Sequence, residues 1–404
     1  MAGTVVRFGV IGVGGRASHL ARVLMGDPLR RGDVVALCDV HEPTLRRGVE
    51  VVRRALGHDP RTYRDYRELL DDPDVDAVIV ATPDHLHRRM AVAAFDAGKH
   101  VFLEKPVGIN LDQVVDVLAA AKRSGKTLEV GYVLRYSPFY EVVKHMVDEG
   151  DDGDLGRPLF AQMLEQYYGG APVFFRGWWR KRANVGGIMV QKICHDMDLF
   201  CWFFGKPERV VAFASNVEFK PGNWPSRAAH CSECENHCPY FTVAAPERRR
   251  TDECLYNTDL TGADVVDNAQ VLVQFEGGLN LSMGMNFFNS RGQDDRFLRV
   301  VGSRGELTGR LSEQVLRYDP RHDASVDLSG TRLLQCAPAG LGGHGGGDEV
   351  QILEFVEALL EGREARAGVD SAYWSSVLVM GAQMSADEGR VVDVSELTRR
   401  WPAP

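Results

Sequence analysis

The stretch V-V-R-F-G-V-I-G-V-G-G-R-A-S-H-L-A-R-V-L, starting at Val5, constrains the fold more than any other part of the chain. It reads as an apolar strand, a glycine turn and an amphipathic helix, and V-V-A-L-C-D then closes a second strand at Asp39. Gly12 permits a tight turn, Gly14 and Gly15 let backbone approach a ligand at the helix N-terminus with Arg16 next in line, and Ala17 is small enough for helix and strand to pack. Asp39 follows Ala17 by 22 residues, where a carboxylate can accept hydrogen bonds from ribose hydroxyls. The spacing predicts a dinucleotide site, and the acid favours NAD over NADP.

V-D-A-V-I-V-A-T-P-D-H-L-H and K-H-V-F-L-E-K-P extend the pattern with two more buried parallel strands, the first followed by a helix. With 404 residues, 44% hydrophobic and 25% charged, the chain has room for two domains. Net charge of −9 argues against nucleic acid as a partner, and the short R-R-R run at 248 to 250 does not change that. The expectation is a cytoplasmic protein, since no apolar run is long enough for a membrane span and the N-terminus lacks a signal-peptide pattern.

The run A-T-P-D-H-L-H-R-R-M-A-V-A-A-F-D-A-G-K-H-V-F-L-E-K-P resembles the hallmark segment of the Gfo/Idh/MocA family of nicotinamide-dependent oxidoreductases. The similarity continues through G-Y-V-L-R-Y-S-P-F-Y at 131 to 140, G-G-I-M-V-Q-K-I-C-H-D-M-D at 186 to 198, V-V-G-S-R-G-E-L at 300 to 307 and S-A-D-E-G-R-V-V at 385 to 392. It implies that Gly12, Gly14, Asp39, Thr82, Pro83, His87 and Glu104 line the cofactor and that Lys105 points at the reacting hydroxyl. The residues themselves support Lys105. It ends a strand at the edge where parallel sheets bind ligands, Pro106 braces the corner, and strand alternation separates it from Glu104.

The expected architecture is α/β: a Rossmann doubly wound parallel sheet over 1–133, then an α+β substrate and oligomerisation domain over 134–404. Its large, mostly antiparallel open sheet is implied by the resemblance. N-A-Q-V-L-V-Q-F-E-G-G-L-N-L-S-M-G-M-N-F-F carries period two across a Glu-Gly-Gly turn, a hairpin signature. One sheet face should meet another subunit, giving a homodimer or homotetramer. L-G-G-H-G-G-G-D at 341 to 348 reads as a mobile loop with Asp348 as a helix N-cap, and its His344 either reaches the cleft or stays in solvent.

Q-K-I-C-H-D-M-D at 191 to 198 puts charges in a stretch otherwise made for burial. On a continuous helix Gln191, His195 and Asp198 share one stripe, at roughly 0°, 40° and −20°. The stripe is one wall of a catalytic cleft or a satisfied internal network. Many family members carry Asp four residues before this His; here that position is Gln191, which can orient His195 but not raise its basicity. Lys192 either binds a substrate hydroxyl or covers the neighbouring turn. Tyr132, Arg135, Trp179, Gln191, Lys192 and His195 are the candidate substrate contacts.

Cys231, Cys234, Cys238 and Cys254 form C-x2-C-x3-C-x15-C in an insertion at about 220–260. A structural zinc site, free or redox-labile thiols and an iron–sulfur cluster are the three readings, with zinc the favoured one. The functional expectation is NAD-dependent oxidation of a secondary alcohol of a sugar, aminosugar or cyclitol, or the reverse. Lys105 and His195 handle the hydroxyl proton. An NAD-dependent redox glycosidase and a nicotinamide sensor without turnover are the alternatives.

Overall fold

The computed structural model describes residues 5–169, 171–225, 227–245, 251–290, 292, 294–321, 330–338 and 344–404. The R-R-R run and residues 341–343 of the glycine stretch lie outside them.

Six parallel strands build the first sheet: β1 (Val6–Ile11), β2 (Gly32–Cys38), β3 (Arg61–Tyr63), β4 (Ala77–Val80), β5 (His100–Leu103) and β6 (Leu128–Val130). Their order is β3-β2-β1-β4-β5-β6, the doubly wound arrangement. Alternation along the strands feeds two cores. Phe8, Val10, Ile79 and Phe102 face the helices Gly15–Gly26 and Glu42–Leu56, whereas Ile11, Val78, Val80, Val101 and Leu103 face His87–Asp96 and Leu111–Ser124. A late segment completes the first of these layers. Helix Gly347–Glu361 places Phe355 5.8 Å from Phe102 and 6.2 Å from Phe8, ring to ring. A domain division drawn at 133/134 therefore misses this helix, which belongs to the first sheet's core.

The second sheet has nine strands in the order β14-β13-β12-β11-β7-β10-β9-β8-β15. These are β7 (Pro158–Gln166), β8 (Pro207–Ser215), β9 (Asn268–Phe275), β10 (Asn280–Asn286), β11 (Asp295–Gly302), β12 (Gly305–Arg310), β13 (Val315–Pro320), β14 (Arg332–Gln335) and β15 (Val392–Asp393). All pairs are antiparallel except β7 with β10. β9 and β10 form the expected hairpin across Glu276–Gly278. Helices Cys194–Phe204 and Val369–Glu388 cover the inner face, where Ala161, Met163, Leu298 and Val300 are buried. The outer face stays open, with Leu164 exposed on β7 and Phe213 and Leu272 on the neighbouring strands β8 and β9. Among the described residues no helix is long and apolar enough to cross a membrane.

Candidate active site

The glycine turn after β1 has the geometry a dinucleotide needs. Gly12 sits at φ 87°, and a Cβ there would lie 2.7 Å from the Ala81 carbonyl oxygen. Only glycine fits. A Cβ on Gly14 or Gly15 would meet nothing within 4 Å, so open space lies over the N-terminus of helix Gly15–Gly26, where free amides favour a diphosphate. Ala17 is fully buried beneath. Asp39 takes the Val13 amide on one oxygen (3.0 Å) and the His41 amide on the other (2.8 Å), which fixes the carboxylate beside the turn. These residues fit NAD, with the helix amides on its diphosphate and Asp39 on its ribose.

Thr82 and Pro83 follow β4 at the sheet's carboxyl edge. His87 does not open onto that edge: its ring is fully buried and wedged between the Pro106 carbonyl (2.7 Å) and the Thr82 carbonyl (2.9 Å). Burial holds it below the usual histidine range, and a neutral ring can donate to one of those oxygens. His87 thus clamps the two loops that carry the site.

Alternation beyond β5 sends Glu104 and Lys105 in opposite directions. Glu104 turns to Arg16, whose guanidinium Nε donates to it at 2.5 Å. Arg16 also pairs with Asp348, which in turn takes His344 Nδ1 at 2.9 Å. Asp348 is not the helix cap expected of it. Gly346, at φ 84°, holds that position, and Asp348 lies in the first turn, where its carboxylate reaches Arg16 on the glycine-turn helix.

Lys105 Nζ donates to the Gln191 carbonyl at 2.8 Å. That carbonyl is available because the helix expected through Q-K-I-C-H-D-M-D breaks at Ile193 into Ile188–Lys192 and Cys194–Phe204. A helix end leaves carbonyls without intrahelical partners, and a lysine satisfies one here. Burial pushes the Lys105 ammonium below its ordinary range, and Lys192 pushes the same way against the opposing Cys194, Asp84 and Glu104. His195 is held well below the usual histidine range by burial and by the positive charges of Lys105, Lys192 and Arg296. It is a neutral imidazole whose Nδ1 has no partner among the described residues.

The break also reassigns the polar stripe. Asp198 leaves the cleft and takes Arg135, with Nε at 2.5 Å and Nη2 at 2.8 Å, while Ser375 Oγ donates to it at 2.7 Å. Arg135 is therefore a buried structural partner, stacked 5.4 Å from the Trp202 ring, and not a free substrate contact. Tyr132 is 1% exposed and sits in the core. Trp179 stacks on Trp178 at 4.4 Å in a turn tied by Arg180 to Glu253 (3.1 Å). Lys192 is 7% exposed and stays inside, 3.5 Å from Glu165 and 4.3 Å from the centre of the Tyr167 ring, so it covers no surface turn.

Three charged residues of this site escaped the sequence reading. Glu165 on β7 and Arg296 on β11 are register partners that pair directly, and Arg296 Nε also donates to Asp196 at 2.9 Å. Their signal was a charge at an inward position of the alternation, after Ala161 and Met163 on one strand and before Leu298 and Val300 on the other. Asp84, right after Thr82 and Pro83, is 3% exposed with one oxygen unpartnered, and burial raises its carboxyl well above the ordinary range.

The cysteines do not form the expected zinc site. Among the described residues no three His, Cys, Asp or Glu are grouped to hold a metal ion. Buried Arg176 explains why. It donates to Cys231 Sγ (3.4 Å), the Glu253 carbonyl (2.8 Å) and the Tyr240 carbonyl (2.8 Å), setting a positive charge against the thiol, which disfavours a metal cation there. Cys234 Sγ donates to the Asn236 carbonyl at 3.2 Å.

Comparison with known proteins agrees with this geometry. The model of the oxidoreductase family with an NAD-binding Rossmann fold matches residues 6–132, and that of the GFO/IDH/MocA C-terminal domain matches 140–308. YteT of Bacillus subtilis, named there as a candidate oxidoreductase, is 24% identical over 385 residues, 85% of this chain and 87% of that protein. An inositol 2-dehydrogenase/D-chiro-inositol 3-dehydrogenase of Lactiplantibacillus plantarum is 32% identical over 200 residues, covering 49% of this chain and about half (52%) of its own length. A levoglucosan dehydrogenase in complex with NADH and levoglucosan shares the fold, with a TM-score of 0.77, 20% identity and coverage of 97% of this chain and 100% of that one. Two matched domains spanning most of the chain, a glycine turn open to a diphosphate and a half-buried lysine at the sheet's carboxyl edge make this protein a member of the GFO/IDH/MocA family of NAD-binding oxidoreductases.

Proposed function

We propose that the protein is an NAD-dependent dehydrogenase that interconverts a secondary alcohol and a ketone on a cyclitol, sugar or aminosugar. The observation that carries this reading is Lys105: half-buried, fixed on the Gln191 carbonyl, biased toward its neutral form and set at the sheet edge beside His195. NAD supplies the hydride acceptor. Gly14, Gly15 and Arg16 hold its diphosphate end, Asp39 its ribose, and Thr82, Pro83 and Glu104 the edge where the nicotinamide half sits.

A neutral Lys105 keeps one N–H on Gln191 and offers its lone pair to the substrate hydroxyl, whose proton it takes as the carbonyl forms. His195 hydrogen-bonds the same oxygen. Gln191 provides the carbonyl that aims Lys105, and Lys192 acts as a fixed charge that disfavours protonation of both Lys105 and His195. The polyol names carried by relatives such as the inositol dehydrogenase support the substrate class. The open face of the second sheet supports a homodimer or homotetramer, because Phe213 and Leu272 on the adjacent strands β8 and β9, and Leu164 on β7, expose apolar surface there that a second copy would cover.

The test is NADH absorbance across cyclitols, free sugars, anhydrosugars and aminosugars, run with NAD and NADP. Oxidation of at least one polyol is expected, with NAD giving the higher kcat/KM, because a 2′-phosphate would meet the Asp39 carboxylate. Turnover with NADP alone, or with no polyol at all, would overturn the reading.

A further inference from the structure

His195 lacks the carboxylate partner that would fix its tautomer. Gln191 stands one turn before it, and its Nδ1 has no hydrogen bond among the described residues. A carboxylate–imidazole pair is nevertheless present at the same place, assembled from the other side of the cleft. His344 Nδ1 lies 2.9 Å from Asp348 Oδ2, and the His344 ring faces the His195 ring at 5.8 Å between centroids, tilted by 44°. Among the described residues no hydrogen bond joins the two rings, which stand face to face as one imidazole on either side. Asp348 is held in turn: Arg16 pairs with it from the glycine-turn helix, and His19 Nε2 lies 3.6 Å away.

A carboxylate accepts from Nδ1–H, so this pairing selects the tautomer of His344 whose Nε2 is a bare acceptor. Two neutral imidazoles facing each other suit a hydroxyl group, which can donate to one ring while accepting from the other.

We propose that His344 is a substrate-binding residue that accepts a hydrogen bond from a substrate hydroxyl opposite His195, and that Asp348 is the positioning residue that sets its tautomer. The inference rests on the polyol reading above and deepens it: the ligand must present a hydroxyl donor to Nε2 of His344. The assignment also ties the substrate hydroxyl to the cofactor turn, because the carboxylate that orients His344 is shared with Arg16.

The test compares wild type with His344→Ala, His344→Gln and Asp348→Asn, using full-length protein and whichever polyol of the panel the wild type oxidises best. His344→Ala should lower kcat/KM at least about tenfold, mainly through KM, with the NADH dissociation constant from fluorescence unchanged. His344→Gln should recover part of that loss, because a carboxamide oxygen can replace the acceptor. Asp348→Asn should lose as much as His344→Ala, since an amide can donate to Nδ1 and turn Nε2 into a donor. Wild-type turnover with kcat/KM unchanged in His344→Ala overturns the inference and leaves the dehydrogenase reading standing, as does an equal loss in the Ala and Gln variants. If the wild type oxidises no polyol, the dehydrogenase reading falls and takes this inference with it.

Discussion

At the scale of the residue, the site turns on how burial treats two cations. Burial lowers the pKa of Lys105 and of Lys192, and the charge of Lys192 adds to the shift at half-buried Lys105. Lys192 keeps a compensating anion in Glu165, whereas Lys105 has only a carbonyl within hydrogen-bonding distance. Lys105 is therefore the group that gives up its proton more readily than an ordinary lysine. Lys105→Ala should lower kcat by about 10² or more while sparing NADH binding, measured by steady-state rates and fluorescence titration. In the oxidative direction kcat should rise with pH as the ammonium deprotonates, and because its folded pKa is lowered, the rise should be centred below 10.5. The same shift affects stability. Between the lowered pKa and 10.5 the unfolded chain binds more protons at this site, so its contribution favours folding increasingly as pH climbs through that window. A kcat profile flat from pH 6 to 10 would remove Lys105 from proton transfer.

At the scale of the element, two segments were misread for one reason: a local pattern was extended past the point where a tertiary partner interrupts it. The helical stripe over 191–198 assumed an unbroken 3.6-residue period, but the break at Ile193 hands the Gln191 carbonyl to Lys105 and leaves Asp198 to Arg135. The cysteine spacing assumed that thiols in sequence proximity converge on a metal. Arg176, more than fifty residues upstream of Cys231 and invisible to that pattern, bonds the Cys231 thiol instead. The segment's stability should consequently depend on the guanidinium and not on zinc. Arg176→Ala should cost about 2–4 kcal/mol, since it strands two buried carbonyls, and should lower Tm in calorimetry, whereas a zinc chelator should leave Tm where it was. A chelator-sensitive Tm would restore the metal.

At the scale of the whole molecule, the late chain returns to finish the early domain. Helix Gly347–Glu361 supplies Phe355 to the first sheet's core and Asp348 to Arg16, so both domains frame one cleft. The open outer face of the second sheet is where a further copy should bind. Phe213→Asp together with Leu272→Asp should shift the assembly toward monomer in light scattering, with the fold retained because both side chains are solvent-exposed in the single chain. An unchanged mass would place the interface elsewhere.

The sequence alone determined what short-range physics can encode. The glycine turn with Asp39, the alternation of buried strands and helices, the β9–β10 hairpin and the lysine at a strand end each depend on a few neighbouring residues whose backbone requirements are strict. Only the tertiary structure decided which charges meet. Glu165 with Arg296, Arg135 with Asp198, and Asp348 with Arg16 and His344 are separated by 131, 63, 332 and 4 residues, and only the last is near enough in sequence to have been read from spacing. A buried charge must find its counter-charge wherever the fold brings one, and that choice follows from packing across layers, which no local period records.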